Sequence, residues 1–93
     1  MGLDYLKHLT SGVDPDAALN DLMNEYGNDV WNFAFYLIRR SDAADDICQD
    51  VFLTLYEKLH TFRGESSIKS WLLTITRNKA YKYRRNAFFL KLF

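Results

Sequence analysis

The sequence predicts an all-α fold, a compact bundle of three to four helices, and three observations carry that prediction. Apolar residues recur at three- and four-residue intervals over long stretches, which is the spacing of one helix face. Proline occurs once and glycine four times in 93 residues, so such stretches meet few breakers. No segment alternates apolar and polar residues for long enough to suggest a strand.

The first long helix is expected to begin at Asp14-Pro15, an N-cap followed by proline at the first helical position. Asp16 adds a carboxylate to the first turn, where the helix dipole favours it. Ala18, Leu19, Leu22, Met23 and Tyr26 keep helical spacing. Gly27-Asn28 is expected to interrupt or kink the segment before the pattern resumes at Val30, Trp31, Phe33, Ala34, Leu37 and Ile38. Arg39 and Arg40 near its C-terminal end suit the dipole. Ser41-Asp42 offers the N-cap of a second helix. Its apolar stripe is Ala44, Ile47, Cys48, Val51, Phe52, Leu55, Tyr56 and Leu59, with Asp42, Asp45, Asp46, Gln49, Asp50 and Glu57 mostly outside it. That helix should end near His60, and Gly64 marks a loop. Ser66 or Ser67 caps a third helix that buries Ile68, Trp71, Leu72, Ile75 and the stem of Lys79 and continues toward Tyr83. A weaker short helix is expected over Leu3 to Thr10.

At 93 residues the chain is one domain, and 48% hydrophobic with 26% charged residues places it among folded chains rather than disordered ones. A single cysteine, Cys48, excludes an internal disulfide. Asp4, Lys7 and His8 argue against a signal peptide, and the longest apolar run is too short to span a bilayer. The expected location is cytoplasmic, without a membrane partner. The run Phe88-Phe89-Leu90-Lys91-Leu92-Phe93 is an odd ending for such a chain. It either folds back, pairs weakly with another copy, or belongs to a longer protein.

Net charge is zero, but the average hides a split. Residues 1–62 carry four basic and eleven acidic side chains, a net of −7, whereas residues 63–93 carry eight basic side chains against Glu65 alone, a net of +7. The split points to a polyanion partner for the second half, or to halves that neutralise each other within the fold.

Little suggests catalysis. His8 and His60 are the only histidines, no Cys and His fall at metal-ligand spacing, and Gly64 stands alone rather than in a phosphate loop. Asp45, Asp46 and Asp50 lack the His partners or the second carboxylate helix that a helical metal site uses, so a solvated or partner-facing surface is the simpler reading. No metal or cofactor is expected. Arg77, Lys79, Lys82, Arg84 and Arg85 fall within nine residues, interleaved with Tyr81 and Tyr83. Cations release counterions from phosphates, aromatics stack on unpaired bases, and Asn78 can make paired hydrogen bonds to a base edge. The same residues could equally form a cationic helix end with core tyrosines. Trp71 reads as core or as a brace for a nucleic-acid surface. Phe62, beside Arg63-Gly64-Glu65-Ser66-Ser67, reads as exposed in a loop able to wrap a base, or as a plug in an ordinary connector.

Taken together, Ala44-Asp45-Asp46-Ile47-Cys48-Gln49-Asp50-Val51-Phe52, then Phe62-Arg63-Gly64-Glu65-Ser66-Ser67, then Trp71-Leu72 and Arg77-Asn78 resemble region 2 of a bacterial sigma factor of the extracytoplasmic-function (ECF) class. The resemblance covers roughly Ala17 to Arg85 and implies a helical bundle with two binding surfaces. One docks on the clamp-helix coiled coil of the largest catalytic subunit of RNA polymerase. Its motif falls on Asp46, Gln49, Asp50 and Phe52, flanked by Arg39 and Arg40. The other recognises the promoter −10 element and captures non-template-strand bases. It falls on Phe62, Arg63, Gly64, Glu65, Ser66, Ser67 and Trp71, then on Lys69, Ser70, Thr74, Arg77 and Asn78, with Lys82, Arg84 and Arg85 as phosphate contacts. Extruding a base costs a few kcal/mol, which binding to the open strand would offset without a catalytic residue.

The family normally adds a helix-turn-helix domain that reads the −35 element. The resemblance therefore implies a region 2 domain over residues 1–87, with 88–93 as the start of a linker, in an excised fragment. The class also implies that an anti-sigma factor often covers these surfaces. The expectation is a transcription initiation factor domain with no enzymatic activity. The alternatives are a protein-only module that docks on a coiled coil without touching DNA and a general single-strand-binding domain.

Overall fold

The computed structural model describes residues 14–92, and their side chains as far as Leu90. Helix α1 spans Pro15–Ile38, α2 spans Ser41–Lys58, a 3-10 turn covers Leu59–Thr61, and α3 spans Ile68–Leu92. There is no strand among the described residues. Each helix packs on the other two. The expected all-α bundle is therefore found, with three helices in the described part. The short helix expected over Leu3 to Thr10 lies outside the described residues.

Helix α1 starts as its sequence demands. The Asp14 carboxylate accepts from the Asp16 N–H at 3.0 Å, and Pro15 occupies the first turn. The expected interruption at Gly27-Asn28 does not occur, since α1 runs unbroken through both residues. A helical glycine costs about 1 kcal/mol relative to alanine. Leu22 on one side and Val30 and Ala34 on the other are buried in the same core, and that packing supports a continuous helix through the weak point. Nothing lies within 4 Å of where a Gly27 Cβ would stand, so no close approach requires the glycine.

The turn between α1 and α2 is tight. Arg39 adopts the left-handed conformation (φ 65°), and its N–H donates to the Phe35 carbonyl at 2.7 Å, closing the end of α1. Arg40 is extended and holds the N-cap position of α2 without a side-chain cap. The expected cap at Ser41-Asp42 is thus displaced. Ser41 is already helical, because the left-handed Arg39 and extended Arg40 complete the reversal in two residues.

The core joins Leu22, Val30 and Ala34 of α1 to Ala44, Ile47, Val51, Phe52 and Leu55 of α2, then to Leu59 and to Ile68, Leu72 and Ala80 of α3. Thr76 is fully buried among them, and its hydroxyl donates to the Leu72 carbonyl at 2.7 Å, which satisfies the group without a partner from another helix. Two residues assigned to apolar stripes face outward instead. Met23 is 44% exposed and Tyr56 is 40% exposed, with the Tyr56 hydroxyl donating to the Asp16 carboxylate at 2.9 Å. Tyr56 thereby ties α2 to the first turn of α1 from outside the core. The Phe88–Leu90 side chains do not fold back. Helix α3 continues through them, and all three are exposed.

Candidate functional site

Two surfaces stand out, one on α2 and one running from the loop onto α3. On α2, Asp42, Asp45, Asp46, Gln49, Asp50 and Glu57 are all exposed. Asp42, Asp46, Gln49, Asp50 and Glu57 recur at three- and four-residue spacing, so they share the side of α2 opposite its core stripe. Phe52 belongs to the other side. It is 3% exposed within the core, so it fixes the orientation of α2 and presents nothing to a partner.

Several of these groups already have partners. The Asp45 carboxylate accepts from the Trp31 indole N–H at 2.7 Å, and Trp31 stacks on Phe35 with ring centroids 5.2 Å apart. Arg40 grips Asp42 through both Nη2 (2.8 Å) and Nε (3.3 Å), and this hydrogen bond holds the Asp42 carboxyl below its usual range. Asp50 pairs with Lys79 of α3 at 3.0 Å. Arg39 lies over the Tyr36 ring, 5.4 Å from its centroid. Asp46 and Gln49 are the groups of the motif that make no such contact among the described residues. Cys48, half-buried below them, has its Sγ 3.8 Å from the Gly27 carbonyl. Burial, then the nearby Asp45, pushes its thiol up, which disfavours the thiolate. No group of three His, Cys, Asp or Glu among the described residues could hold a metal ion.

The second surface begins at the loop. Gly64 has φ 75°, a conformation that a side chain disfavours, and it turns the chain between the 3-10 turn and α3. Of the two serines considered as caps, Ser67 does the capping. Its hydroxyl oxygen accepts from the Ser70 N–H at 3.0 Å and lies 3.0 Å from the Ser70 hydroxyl. Phe62 is half-buried rather than exposed. It packs against the core and meets Trp71 with ring centroids 4.9 Å apart at a 40° tilt. The two rings form one wall of an open recess of about 340 Å³, whose other lining residues are Thr61, Arg63, Glu65 and Ser66. That size lies at the lower end of small-ligand sites, about 300–1,000 Å³.

Along α3, Ser70, Thr74, Arg77, Asn78, Tyr81 and Arg85 recur at helical spacing and are all exposed, forming one stripe opposite Leu72 and Thr76. Lys82 and Arg84 flank it. Arg77, Lys82, Arg84 and Arg85 make no ion pair among the described residues. Lys69 differs, because its ammonium lies 3.6 Å from Asp29 of α1, off the stripe. Among the described residues, the two halves of the chain therefore form ion pairs with each other at Lys69–Asp29 and Lys79–Asp50 alone. Arg77, Lys82, Arg84 and Arg85 are left facing outward. Tyr81, read as either a base-stacking or a core tyrosine, is 51% exposed on the stripe, whereas Leu53, 59% exposed on α2, was missed as a surface group. For Leu53 the signal was there in the sequence: it is an apolar residue off the apolar stripe.

Comparison with known proteins bears on both surfaces. The sequence model of the sigma-70 region 2 family matches residues 22–87, a span that holds every residue of the two surfaces. The ECF RNA polymerase sigma factor SigX of Bacillus subtilis is 36% identical over 64 residues, covering 69% of this chain and 33% of the relative. The RNA polymerase sigma factor YlaC of the same organism is 34% identical over 70 residues, covering 74% and 40%. The ECF RNA polymerase sigma-E factor of Haemophilus influenzae is 35% identical over 66 residues, covering 71% and 34%. The chain thus spans between a third and two-fifths of the length of these relatives.

Proposed function

The chain belongs to the sigma-70 region 2 family, and on that premise we propose that it docks on the clamp helices of RNA polymerase core and captures non-template-strand bases of the promoter −10 element. The observation that carries this reading is the placement of two exposed surfaces on different helices. An acidic one lies on α2, and a cationic one with Asn78 and Tyr81 lies on α3 beside the Phe62–Trp71 recess. Asp46 and Gln49 meet basic residues of the coiled coil. The recess takes an unpaired base, Asn78 reads a base edge, and Arg77, Lys82, Arg84 and Arg85 track phosphates. Promoter opening then follows from tighter binding to the open strand than to the duplex, with binding alone as the domain's contribution to transcription initiation. An anti-sigma factor would act by covering these same surfaces, in the cytoplasm where the polymerase works. Residues 88–93 begin the linker to a further domain.

The test pairs substitutions with two readouts: affinity for polymerase core, and affinity for labelled single strands carrying −10-like sequences. Asp46→Asn and Gln49→Ala are expected to weaken core binding and leave strand binding intact, and Asn78→Ala is expected to do the reverse. Asp50 is the poorer probe, because its loss also removes the ion-pair partner of Lys79 on α3. Each phosphate contact should add about −0.7 to the salt slope for single strands. Strand binding that ignores base sequence would favour a general single-strand binder. No strand binding at all, with core binding retained, would favour the protein-only module. Self-association through the exposed Phe88–Leu90 end of α3 is a separate expectation, and a strict monomer by light scattering at high concentration would remove it.

A further inference from the structure

The outward face of α2 has an apolar residue at its centre. Leu53 is 59% exposed and takes no part in the core cluster. Gln49 and Asp50 lie one turn before it, Tyr56 and Glu57 one turn after, and Asp46 two turns before, all exposed. A leucine ringed by carboxylates and an amide has the layout of an interface, an apolar contact inside a polar rim that excludes water. The rim sets the chemistry of the partner, since Asp46 and Glu57, which make no ion pair among the described residues, favour a basic surface, while Asp50 is already paired with Lys79. Their arrangement as a stripe along α2 suits a partner that lies alongside the helix. Phe52, the apolar residue of the sequence motif, cannot make this contact, because it is 3% exposed.

We propose that Leu53 is the apolar anchor by which the acidic face of α2 docks on the basic coiled coil of RNA polymerase core. This rests on the docking reading above and adds the residue that supplies its desolvated contact. Charge at the rim brings the surfaces together and sets their register, while burial of Leu53 slows their separation.

Anisotropy of the labelled chain titrated with polymerase core tests the proposal, with thermal unfolding followed in parallel. Leu53→Ala is expected to weaken docking about tenfold or more with the unfolding midpoint unchanged. Leu53→Met should retain docking, and Leu53→Lys, which sets a cation against the basic partner, should lose more than Leu53→Ala. Asp46→Asn and Gln49→Ala serve as references. If they weaken docking and Leu53→Ala does not, the anchor is overturned and the docking reading survives. If none of them weakens docking, the docking reading fails and the anchor fails with it. If Leu53→Ala instead dissolves a concentration-dependent dimer and leaves core affinity alone, a second copy covers this face and the proposal is overturned.

Discussion

Leu72→Ala is expected to cost about 2–5 kcal/mol of folding stability, the range for truncating a fully buried leucine. Leu72 is 0% exposed at the centre of the cluster that joins α3 to both other helices. A domain of this size has about 5–15 kcal/mol in total, so one substitution would remove a large share of it. Each kcal/mol should lower the thermal midpoint by about 4–8 °C. Leu90→Ala is the control. Leu90 is 79% exposed, and its loss should stay within about 0.5 kcal/mol. The functional consequence follows from helix geometry. Leu72 and Thr76 face inward on the helix whose opposite side carries Ser70, Thr74, Arg77 and Asn78. Loosening the inner side blurs the spacing of the outer one, so strand recognition should decline at temperatures where the chain is still mostly folded. A cost under about 1 kcal/mol would mean that α3 is held mainly by something other than this face.

Much of the bundle can be read in the sequence because the helices obey a short-range rule. Ala44, Ile47, Val51 and Leu55 are buried because their spacing puts them on one side of any helix, whatever the helix packs against. The cap at Asp14-Pro15 and the turn at Gly64 are local in the same sense. What escaped depends on contacts between distant residues or on a backbone choice that the residue type does not advertise. A left-handed Arg39 is invisible in a sequence, where glycine or asparagine would signal that conformation. Gly27 reads as a break until Leu22, Val30 and Ala34 are seen to share one core. Tyr56, assigned to the apolar stripe, is exposed, and its hydroxyl meets the Asp16 carboxylate, forty positions away, a contact that no local pattern announces.

The two surfaces divide in the same way. The acidic residues of α2 and the cations of α3 are legible by type and spacing. The pairing that separates committed charges from free ones is not. Nothing in the order of residues says that Asp50 pairs with Lys79 while Asp46 remains open, or that Lys69 turns toward Asp29 while Arg77 does not. Phe62 illustrates a third case. Both sequence readings, exposed loop residue and core plug, contain part of the answer. The ring is half-buried against Trp71 and also forms a wall of the recess.

Removing that wall should have the largest effect on strand recognition. Phe62→Ala and Trp71→Ala are each expected to weaken binding to the preferred single strand by about 1–3 kcal/mol, the range for losing one aromatic platform under a base. That is a loss of about 5- to 150-fold. Affinity for polymerase core should be unchanged, because Asp46 and Gln49 lie on α2, away from the recess. The two substitutions should not add. The ring centroids lie 4.9 Å apart and both rings pack against the core, so either truncation disturbs the same wall. The double variant should therefore lose little more than the worse single variant, and Trp71→Phe should restore most of the binding by keeping a ring in place. Fully additive losses would mean that Phe62 and Trp71 contact the strand independently, at separate bases. The Phe62–Trp71 pair would then be a packing contact, and base capture would have to rest on Arg63, Glu65 and Ser66 instead.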